Sequence, residues 1–424
     1  MIPALRNWFN DSFSAEKYRA LQADLAKRCG TNVEFRIAET PVFVDRRMLD
    51  EMAREGASLA GQLMADAAYL QAAREAIPAG YVVAGETAHP HFLTADFALA
   101  RNRQGELVPR LVEIQAFPSV FGFQSELCSA QQRAYGLPGN LGFYLSGLDE
   151  ASYWELLRRT VLGGHQAKHV VLTEVDPLHQ KTLPDFNVTA GKLGIAVVDI
   201  ASLEARGDKL FYRDGSGGLV RVERIYNRAI ADELIARRVQ LPFDLTGSWD
   251  VEWAGHPNWY FLISKFSIPW FCRAERRNEV VPPAVFLDDF LEGSGREELE
   301  NAGVALPAAG PGAVYGELLL KPLFGFAGKG IQFEPTQAEL DAIPGERRSG
   351  YLLQQKMRFE HTIETPHGST QAEFRILYLW PDGGDLTPAL SLVRLGRGKM
   401  MGVDHNKNQE WVGASAAFFE SRGA

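Results

Sequence analysis

Apolar residues recur at helical spacing in the first part of the chain. Between Arg46 and Ile77 the sequence is rich in Ala, Leu, Met and Glu, which are strong helix formers, and this pattern predicts an amphipathic helix. Pro78 and Gly80 follow, and we expect them to end the helix. Residues 1–80 are therefore predicted to be mainly helical and to serve packing.

After residue 90 the pattern changes to short apolar runs. Residues 92–100 and 111–117 predict two strands of a hairpin, because Asn102 to Gly105 supply turn residues between them. A helical pattern returns over residues 124–162. Within residues 164–262 a strand, a helix and a second strand follow one another, which predicts a parallel α/β unit.

The last third of the chain alternates between strands and turns. Strands are predicted at residues 351–356, 373–380 and 390–395, whereas the many Pro, Gly, Glu and Ala residues of 282–312 predict a connecting or mobile segment. The predicted fold class is α/β with α+β elements, in three regions. These are a helical region with a hairpin (1–163), an α/β domain (164–262) and a lobe with a glycine-rich loop (263–424).

Composition narrows the function classes. The chain has 424 residues, 46% of them hydrophobic and 23% charged, as in ordinary globular proteins, and its net charge of -9 argues against broad nucleic-acid binding. Its 3 cysteines lie far apart and predict neither a disulfide framework nor a zinc site. The first residues lack a signal-peptide pattern, and no apolar run could span a bilayer. We expect a cytoplasmic protein without membrane partners.

The most informative stretch is residues 318–331. A short apolar run, typical of a buried strand, leads Lys321 into a loop with three glycines and a second lysine. These loop residues are Gly325, Gly328, Lys329 and Gly330. Glycines let backbone N–H groups approach an anion, and lysines supply charge, so the pattern is typical of phosphate binding. It is not a Walker A loop, because Leu323 stands where that motif needs glycine. A glycine-rich hairpin with solvated lysines fits the loop alone equally well.

Carboxylate and amide side chains are predicted to meet on the hairpin. Glu113 and Gln115 are two residues apart on a strand, so they face the same side, and Asp96 lies on the preceding strand. Such oxygens suit Mg²⁺. A solvated sheet face with one acid and one amide is the alternative.

Together these segments resemble the circularly permuted branch of the ATP-grasp superfamily, typified by eukaryotic-type glutathione synthetases. Residues 111–122, with Glu113-Ile114-Gln115, are similar to that branch's Glu-Ile-Asn metal strand and its trailing Ser-x-Phe-Gly. Residues 260–265 are similar to the strand that carries the first ATP lysine. Lys321-Pro322 with its glycines resembles the Lys-Pro glycine loop. Residues 351–357 resemble the adenine hinge, residues 392–394 a late strand with a substrate-binding arginine, and residues 411–417 the closing Gly/Ala-rich segment.

The resemblance implies ATP and Mg²⁺ as cofactors, small-molecule carboxylate and amine substrates, and their ligation through an acyl phosphate. It also implies that the α/β domain of residues 164–262 lies on the substrate side. A homodimer stays open as an assembly. The implied metal ligands are Asp96, Glu113 and Gln115. The implied ATP contacts are Lys265, Lys321, Gly325, Gly328, Lys329, Gly330, Gln354, Gln355, Lys356, Met357 and Glu373. Arg375 and Lys321 are implied in catalysis, and Arg375 and Arg394 in substrate binding. From spacing alone, Glu373 and Arg375 could equally form a structural pair.

The chain also departs from the family pattern. Gln115 replaces asparagine, and residues 321–330 lack the loop glutamate that binds metal in the family, which gives Asp96 that part by resemblance. Thr94 stands where an arginine contacts substrate, so the substrate is expected to differ from the family's dipeptide. Two alternatives stay open: a glutathionylspermidine-synthase-like or other amino-acid ligase, and an ATP-binding protein without catalysis.

Overall fold

The computed structural model describes residues 1–273, 276, 278–325, 328, 330–398, 401 and 408–421, without the side chain of Asp232. Elements are numbered in chain order. The helices are α1 (Pro3–Ser12), α2 (Ala15–Cys29), α3 (Arg46–Ala65), α4 (Ala67–Glu75), α5 (Phe121–Tyr135), α6 (Glu150–Leu162), α7 (Leu183–Leu193), α8 (Ala231–Arg237), α9 (Trp259–Leu262), α10 (Ser267–Cys272), α11 (Leu287–Glu292), α12 (Ser294–Asn301), α13 (Gln337–Asp341) and α14 (Gly345–Arg348). The strands are β1 (Val42–Phe43), β2 (Phe92–Arg101), β3 (Leu107–Gln115), β4 (Leu141–Gly142), β5 (Val170–Glu174), β6 (Ala196–Asp199), β7 (Glu204–Arg206), β8 (Lys209–Arg213), β9 (Leu219–Val222), β10 (Arg224–Asn227), β11 (Glu252–Ala254), β12 (Ala284–Phe286), β13 (Leu318–Pro322), β14 (Gln332–Phe333), β15 (Tyr351–Gln355), β16 (His361–Ile363), β17 (Thr370–Leu379), β18 (Thr387–Gly396) and β19 (Gly413–Glu420). Within the described residues, no helix is long and apolar enough to cross a membrane.

An 8-stranded sheet forms the centre of the molecule. Its main order is β1-β19-β18-β17-β2-β3, with β16 beside β17 and β4 beside β19. Only the pairing of β1 with β19 is parallel among these strands. The predicted hairpin is confirmed, since β2 and β3 pair antiparallel. Strands from residues 42–115 and 361–420 thus share one sheet.

The two faces of this sheet bury different helices. Alternate residues of the central strands, such as Leu93 on β2 and Phe374 on β17, join one core with α3 and α4. Their neighbours, such as Phe92 and Leu377, join a second core with α2, α5 and α6. The predicted helix over residues 46–77 is two helices, because Asp66 ends α3 and its side chain caps α4 through the N–H of Tyr69.

The α/β unit has its own sheet. Its order is β11-β10-β5-β6, all pairs are parallel, and α7 connects β5 to β6 while α8 lies between β10 and β11 in sequence. The parallel arrangement predicted for residues 164–262 is therefore confirmed. A separate antiparallel sheet, β7-β8-β9, follows β6 along the chain.

A third sheet corrects two expectations. Its order is β12-β15-β13-β14, and its apolar face packs on α11 and α12. Most of residues 282–312 is therefore not a connecting segment: Ala284–Phe286 pair with β15, and residues 287–301 form α11 and α12. Residues 302–312 do connect α12 to the strand that follows. Residues 260–265 are not a strand either. The carbonyl of Asn258 accepts hydrogen bonds from the N–H groups of Phe261 and Leu262, so the buried aromatic run forms helix α9.

Candidate functional site

Charged side chains line up across four neighbouring strands of the central sheet. Glu113 on β3 is paired with Asp96 on β2, and Asp96 with Arg375 on β17. Glu373, two residues before Arg375, is paired with Arg394 on β18. Directly paired residues face the same side of a sheet, so the register brings five predicted site residues together on one face.

Asp96 is the buried anchor of this group. Its carboxylate accepts two hydrogen bonds of 2.6 Å from Arg375 and one of 3.1 Å from Arg394. Burial alone would raise the pKa of Asp96, but the charges of Arg375 and Arg394 lower it below its usual value. Asp96 therefore holds two arginines in place. Both of its oxygens accept hydrogen bonds from these arginines, whereas the resemblance implied that Asp96 binds a metal.

At Glu373, in contrast, burial has a larger effect on the pKa than the neighbouring arginine charge. Its Oε1 lies 2.8 Å from Nη1 of Arg394. Burial raises the pKa of Glu373 to about 7, although the charge of Arg394 opposes the shift. Glu373 is thus a carboxyl group whose protonation changes near neutral pH.

Two buried lysines approach the group from outside the central sheet. The Lys265 ammonium, on a side chain only 6% exposed, donates to the Gly325 carbonyl at 2.6 Å and lies 3.7 Å from Oε2 of Glu113. Lys321, at 4% exposure, donates to Oε1 of Gln354 at 2.6 Å. Burial lowers the pKa of Lys321 to about 8, while the charge of Glu113 opposes the shift and that of Lys265 adds to it. Both lysines thus act electrostatically on the surroundings of Glu113.

The glycine-rich loop uses backbone conformations that side chains disfavour. Gly325, Gly328 and Gly330 have φ values of 129°, 71° and 81°, in the region that glycine adopts without steric cost. The carbonyl of Gly325 meets the Lys265 ammonium, so the loop begins directly beside the charged group. Lys329 lies outside the described residues.

The predicted hinge shows one unusual polar atom. Gln354 on β15 is 1% exposed, and its Nε2 has no hydrogen-bond partner among the described residues. Buried amide donors are normally satisfied, so an unpartnered one fits a polar ligand at this place. Gln355 bonds through its N–H to the Pro283 carbonyl, Lys356 pairs with Glu334 at 2.8 Å, and Met357 follows the strand.

For a metal, the site offers few protein oxygens. Glu113 lies 3.6 Å from Arg375 and 3.7 Å from Lys265, and Gln115 is two residues further along β3. In the described part of the chain, no three His, Cys, Asp or Glu residues are grouped as metal ligands. Mg²⁺ commonly binds through one or two carboxylates and completes its shell with water and phosphate oxygens. Glu113 and Gln115 fit that kind of binding.

Sequence reasoning missed a cleft beside this group. Its walls include Phe117, Asn227, His256 and Tyr260, and it lies between the segment after β3 and the ends of β10 and β11. The cleft could have been predicted from the carboxyl ends of the predicted parallel strands, because ligands commonly bind there. Two nearby tryptophans, Trp253 and Trp259, are core residues and are not among the residues that line the cleft.

Comparison with known proteins identifies a fold. No protein-family model matches the chain, and no curated protein matches it either. Among solved structures, the chain is similar to a glutathione synthetase-like effector from Globodera pallida in its apo form, with 11% sequence identity and a TM-score of 0.52. The match covers 97% of this chain and 98% of that one. The mixed α/β architecture is therefore related to a glutathione synthetase-like structure.

Proposed function

We propose that the protein is an ATP-dependent ligase that joins a small carboxylic acid to an amine, as a circularly permuted ATP-grasp enzyme. The observation that carries this proposal is the convergence of two buried lysines, Lys265 and Lys321, on a carboxylate, Glu113, beside a glycine-rich loop. The Lys321 ammonium donates to a neutral amide oxygen, that of Gln354. Burying a charge without a directly bonded counter-charge is costly, and a nucleotide phosphate would supply that negative charge.

The charge of the group supports anion binding. Lys265, Lys321, Arg375 and Arg394 face the three carboxylates of Asp96, Glu113 and Glu373, which leaves one excess positive charge when all are ionised. This local excess contrasts with the net charge of -9 for the whole chain. The local excess of positive charge would thus let the proposed site bind a phosphate although the protein as a whole is acidic.

In the proposed reaction, a substrate carboxylate oxygen attacks the γ-phosphorus of ATP and ADP leaves, giving an acyl phosphate. The amine nitrogen then attacks the acyl carbon, phosphate leaves, and the amine loses a proton. Lys265, Lys321 and Arg375 would offset the charge that spreads over the transferring oxygens. Glu113 and Gln115 would hold Mg²⁺, which neutralises phosphate charge when bound.

A second candidate is nucleotide binding without turnover. It is favoured by Asp96, whose oxygens both serve arginines, and by the absence of an acid in residues 321–330. The two candidates share the nucleotide site and differ in whether ADP forms.

Calorimetric titration tests the site that both candidates need. We expect Mg–ATP to bind the wild type, and Lys321→Ala to raise the Kd at least about tenfold, because it removes a buried charge from the phosphate site. Lys27→Ala, at an exposed position on α2, is the control and should leave the Kd unchanged. Absence of Mg–ATP binding to the wild type would overturn the proposed function.

A matrix of acids and amines, assayed for ADP, then separates the two candidates. The ligase produces ADP only when both an acid and an amine are present. If Mg–ATP binds but no pair in a broad matrix yields ADP, the non-catalytic candidate is favoured.

A further inference from the structure

The cleft occupies the edge of the α/β unit where ligands commonly bind. Ile200 follows β6, Asn227 and Ala229 mark the end of β10, and His256 follows β11, so three of the four parallel strands deliver their carboxyl ends to it. In open parallel sheets this edge is the usual ligand position. The cleft is narrow, with about 470 Å³ of empty space when the solvent at its mouth is included.

The opposite wall connects the cleft to the charged group. Ala116, Phe117 and Pro118 line it and come directly after Glu113–Gln115 on the same chain segment. The next residue, Ser119, has its hydroxyl 3.4 Å from Nη1 of Arg375. A molecule in the cleft would therefore lie beside the proposed phosphate site.

Aromatic contacts extend from the cleft to the glycine-rich loop. The rings of Phe117 and Tyr260 have centroids 6.0 Å apart, and those of Tyr260 and Phe261 are 5.2 Å apart. Phe261 in turn contacts Phe324 at 5.1 Å, immediately before Gly325. Aromatic packing thus extends from the wall of the cleft to the beginning of the loop.

The lining is uncharged. Among the described residues that form the cleft there is no Asp, Glu, Lys or Arg, and most of the side chains are aromatic or aliphatic. Burial lowers the pKa of His256, which favours its neutral form, although the Ala84 carbonyl, 3.1 Å from Nε2, opposes the shift. Its Nδ1 accepts a hydrogen bond from the Asn258 N–H at 3.3 Å. Asn227 brings a carboxamide, which can both donate and accept.

We propose that this cleft binds an uncharged apolar or aromatic portion of one of the two molecules that are joined, an inference that rests on the proposed ligase activity. A charged portion would lose its water here without gaining a counter-charge, which is unfavourable. A phenyl or branched alkyl portion would lose only apolar surface to the walls.

Matched probes test the class of ligand. 3-Phenylpropanoate and glutarate are both acids, and phenethylamine and 1,4-diaminobutane are both amines, but only the first of each pair has an apolar end. With Mg²⁺ and a non-hydrolysable ATP analogue present, we expect one of the phenyl probes to bind at least about tenfold more tightly than its charged counterpart in calorimetry. Equal or tighter binding of the charged probes would overturn the inference.

Two variants of α8 locate the binding. Ala231 lines the cleft, whereas Ala236 is exposed on the same helix. Ala231→Phe should weaken binding of the phenyl probe at least about tenfold by filling part of the cleft, and Ala236→Phe should leave it unchanged. Mg–ATP affinity should stay at the wild-type value in both variants. A phenyl probe that binds both variants as it binds the wild type does not use this cleft, and the inference fails.

These outcomes are separable from the proposed function. The proposed function fails if the wild type does not bind Mg–ATP, or if no acid–amine pair in the matrix yields ADP. Failure of the cleft inference shows in the probe preference and in the Ala231→Phe comparison, both measured without turnover.

Discussion

Buried charges at the site are satisfied in two different ways. Asp96 has two arginines as direct partners, so its charged form is stabilised despite burial. Among the described residues, Lys321 has only the neutral Gln354 as its direct hydrogen-bond partner, and burial lowers its pKa to about 8. The first arrangement is typical of a structural ion pair, and the second of a cation prepared for a ligand.

The binding of Mg–ATP is therefore expected to depend on pH through Lys321. Raising the pH through about 8 removes the proton from its ammonium group in the free protein. Affinity should be constant with respect to this group below that pH and should fall above it, by up to about tenfold per pH unit. Lys321→Arg keeps its charge and should flatten the dependence. Calorimetry between pH 6.5 and 9.5 measures both, and identical slopes would contradict the assignment.

Asp96 and Glu113 are expected to respond differently to loss of charge. Asp96→Asn leaves the buried side chain of Arg375 and the partly buried side chain of Arg394 short of counter-charge, so the free energy of unfolding should fall by about 3–5 kcal/mol. Glu113→Gln should leave stability nearly unchanged and weaken the effect of Mg²⁺ on ATP binding. Urea denaturation and titrations with and without Mg²⁺ measure the two effects. A stable Asp96→Asn variant that has lost the Mg²⁺ effect would assign Asp96 to the metal instead.

At the scale of elements, the site depends on how closely α3 approaches the central sheet. At Gly56 a Cβ atom would lie 2.2 Å from the hydroxyl of Tyr378 and 3.0 Å from Cβ of Ala95. The Tyr378 hydroxyl donates to the Ala53 carbonyl at 3.0 Å, which fixes the helix to β17. Because β17 also carries Glu373 and Arg375, this contact supports the strand that positions the charged group.

Gly56→Ala should therefore destabilise the protein by about 1–3 kcal/mol, since the rigid tyrosine ring and the sheet must move apart. Gly61→Ala is the matched control on the same helix, where a Cβ would have no neighbour within 4 Å. That substitution should stabilise the protein by about 0.5–1 kcal/mol, because alanine loses less chain entropy in a helix. Thermal melting of the two variants tests the contrast, and equal shifts would argue against a close approach at Gly56.

The alternation of apolar and polar residues was sufficient to predict β2, β3, β17 and β18, and with them the face shared by Glu113 and Gln115. It was not sufficient for Ala284–Phe286, which is only three residues long and gains its strand conformation from β15. The strand prediction for residues 260–265 failed for a related reason. A short, mostly buried apolar run has no periodicity that distinguishes a helix from a strand. The hydrogen bonds from two arginines to Asp96 could not be predicted either, because they depend on the register between strands that are distant in sequence.

At the scale of the whole molecule, one buried arginine connects the α/β unit to the central sheet. Arg224 on β10 is 2% exposed and pairs at 2.7 Å with both Glu252 and Asp382. Asp382 lies just after β17 and also contacts His91, just before β2, at 2.9 Å. The wall of the cleft and the charged sheet face are thereby held in fixed relation. None of this could be predicted from the sequence, because the partners are distant along the chain.

Arg224→Met should lower the free energy of unfolding by about 2 kcal/mol, less than for a fully buried pair because both acids are half exposed. Arg221 lies on β9, which precedes β10 in the sequence, and forms a more exposed ion pair with Asp250. Arg221→Met should therefore change the free energy of unfolding by less than about 1 kcal/mol. Urea denaturation at neutral pH compares the two. A neutral Arg224→Met variant would show that the unit is held by its apolar contacts alone.

The place of β19 in the central sheet has a consequence for biosynthesis. This strand lies between β1 and β18, although it is made of residues 413–420 and β1 of residues 42–43. During translation β1 therefore has no partner strand, and one edge of β18 stays open until those late residues leave the ribosome. Unpaired strand edges favour intermolecular association. The nascent chain is thus expected to need protection by chaperones until residues 413–420 have been made.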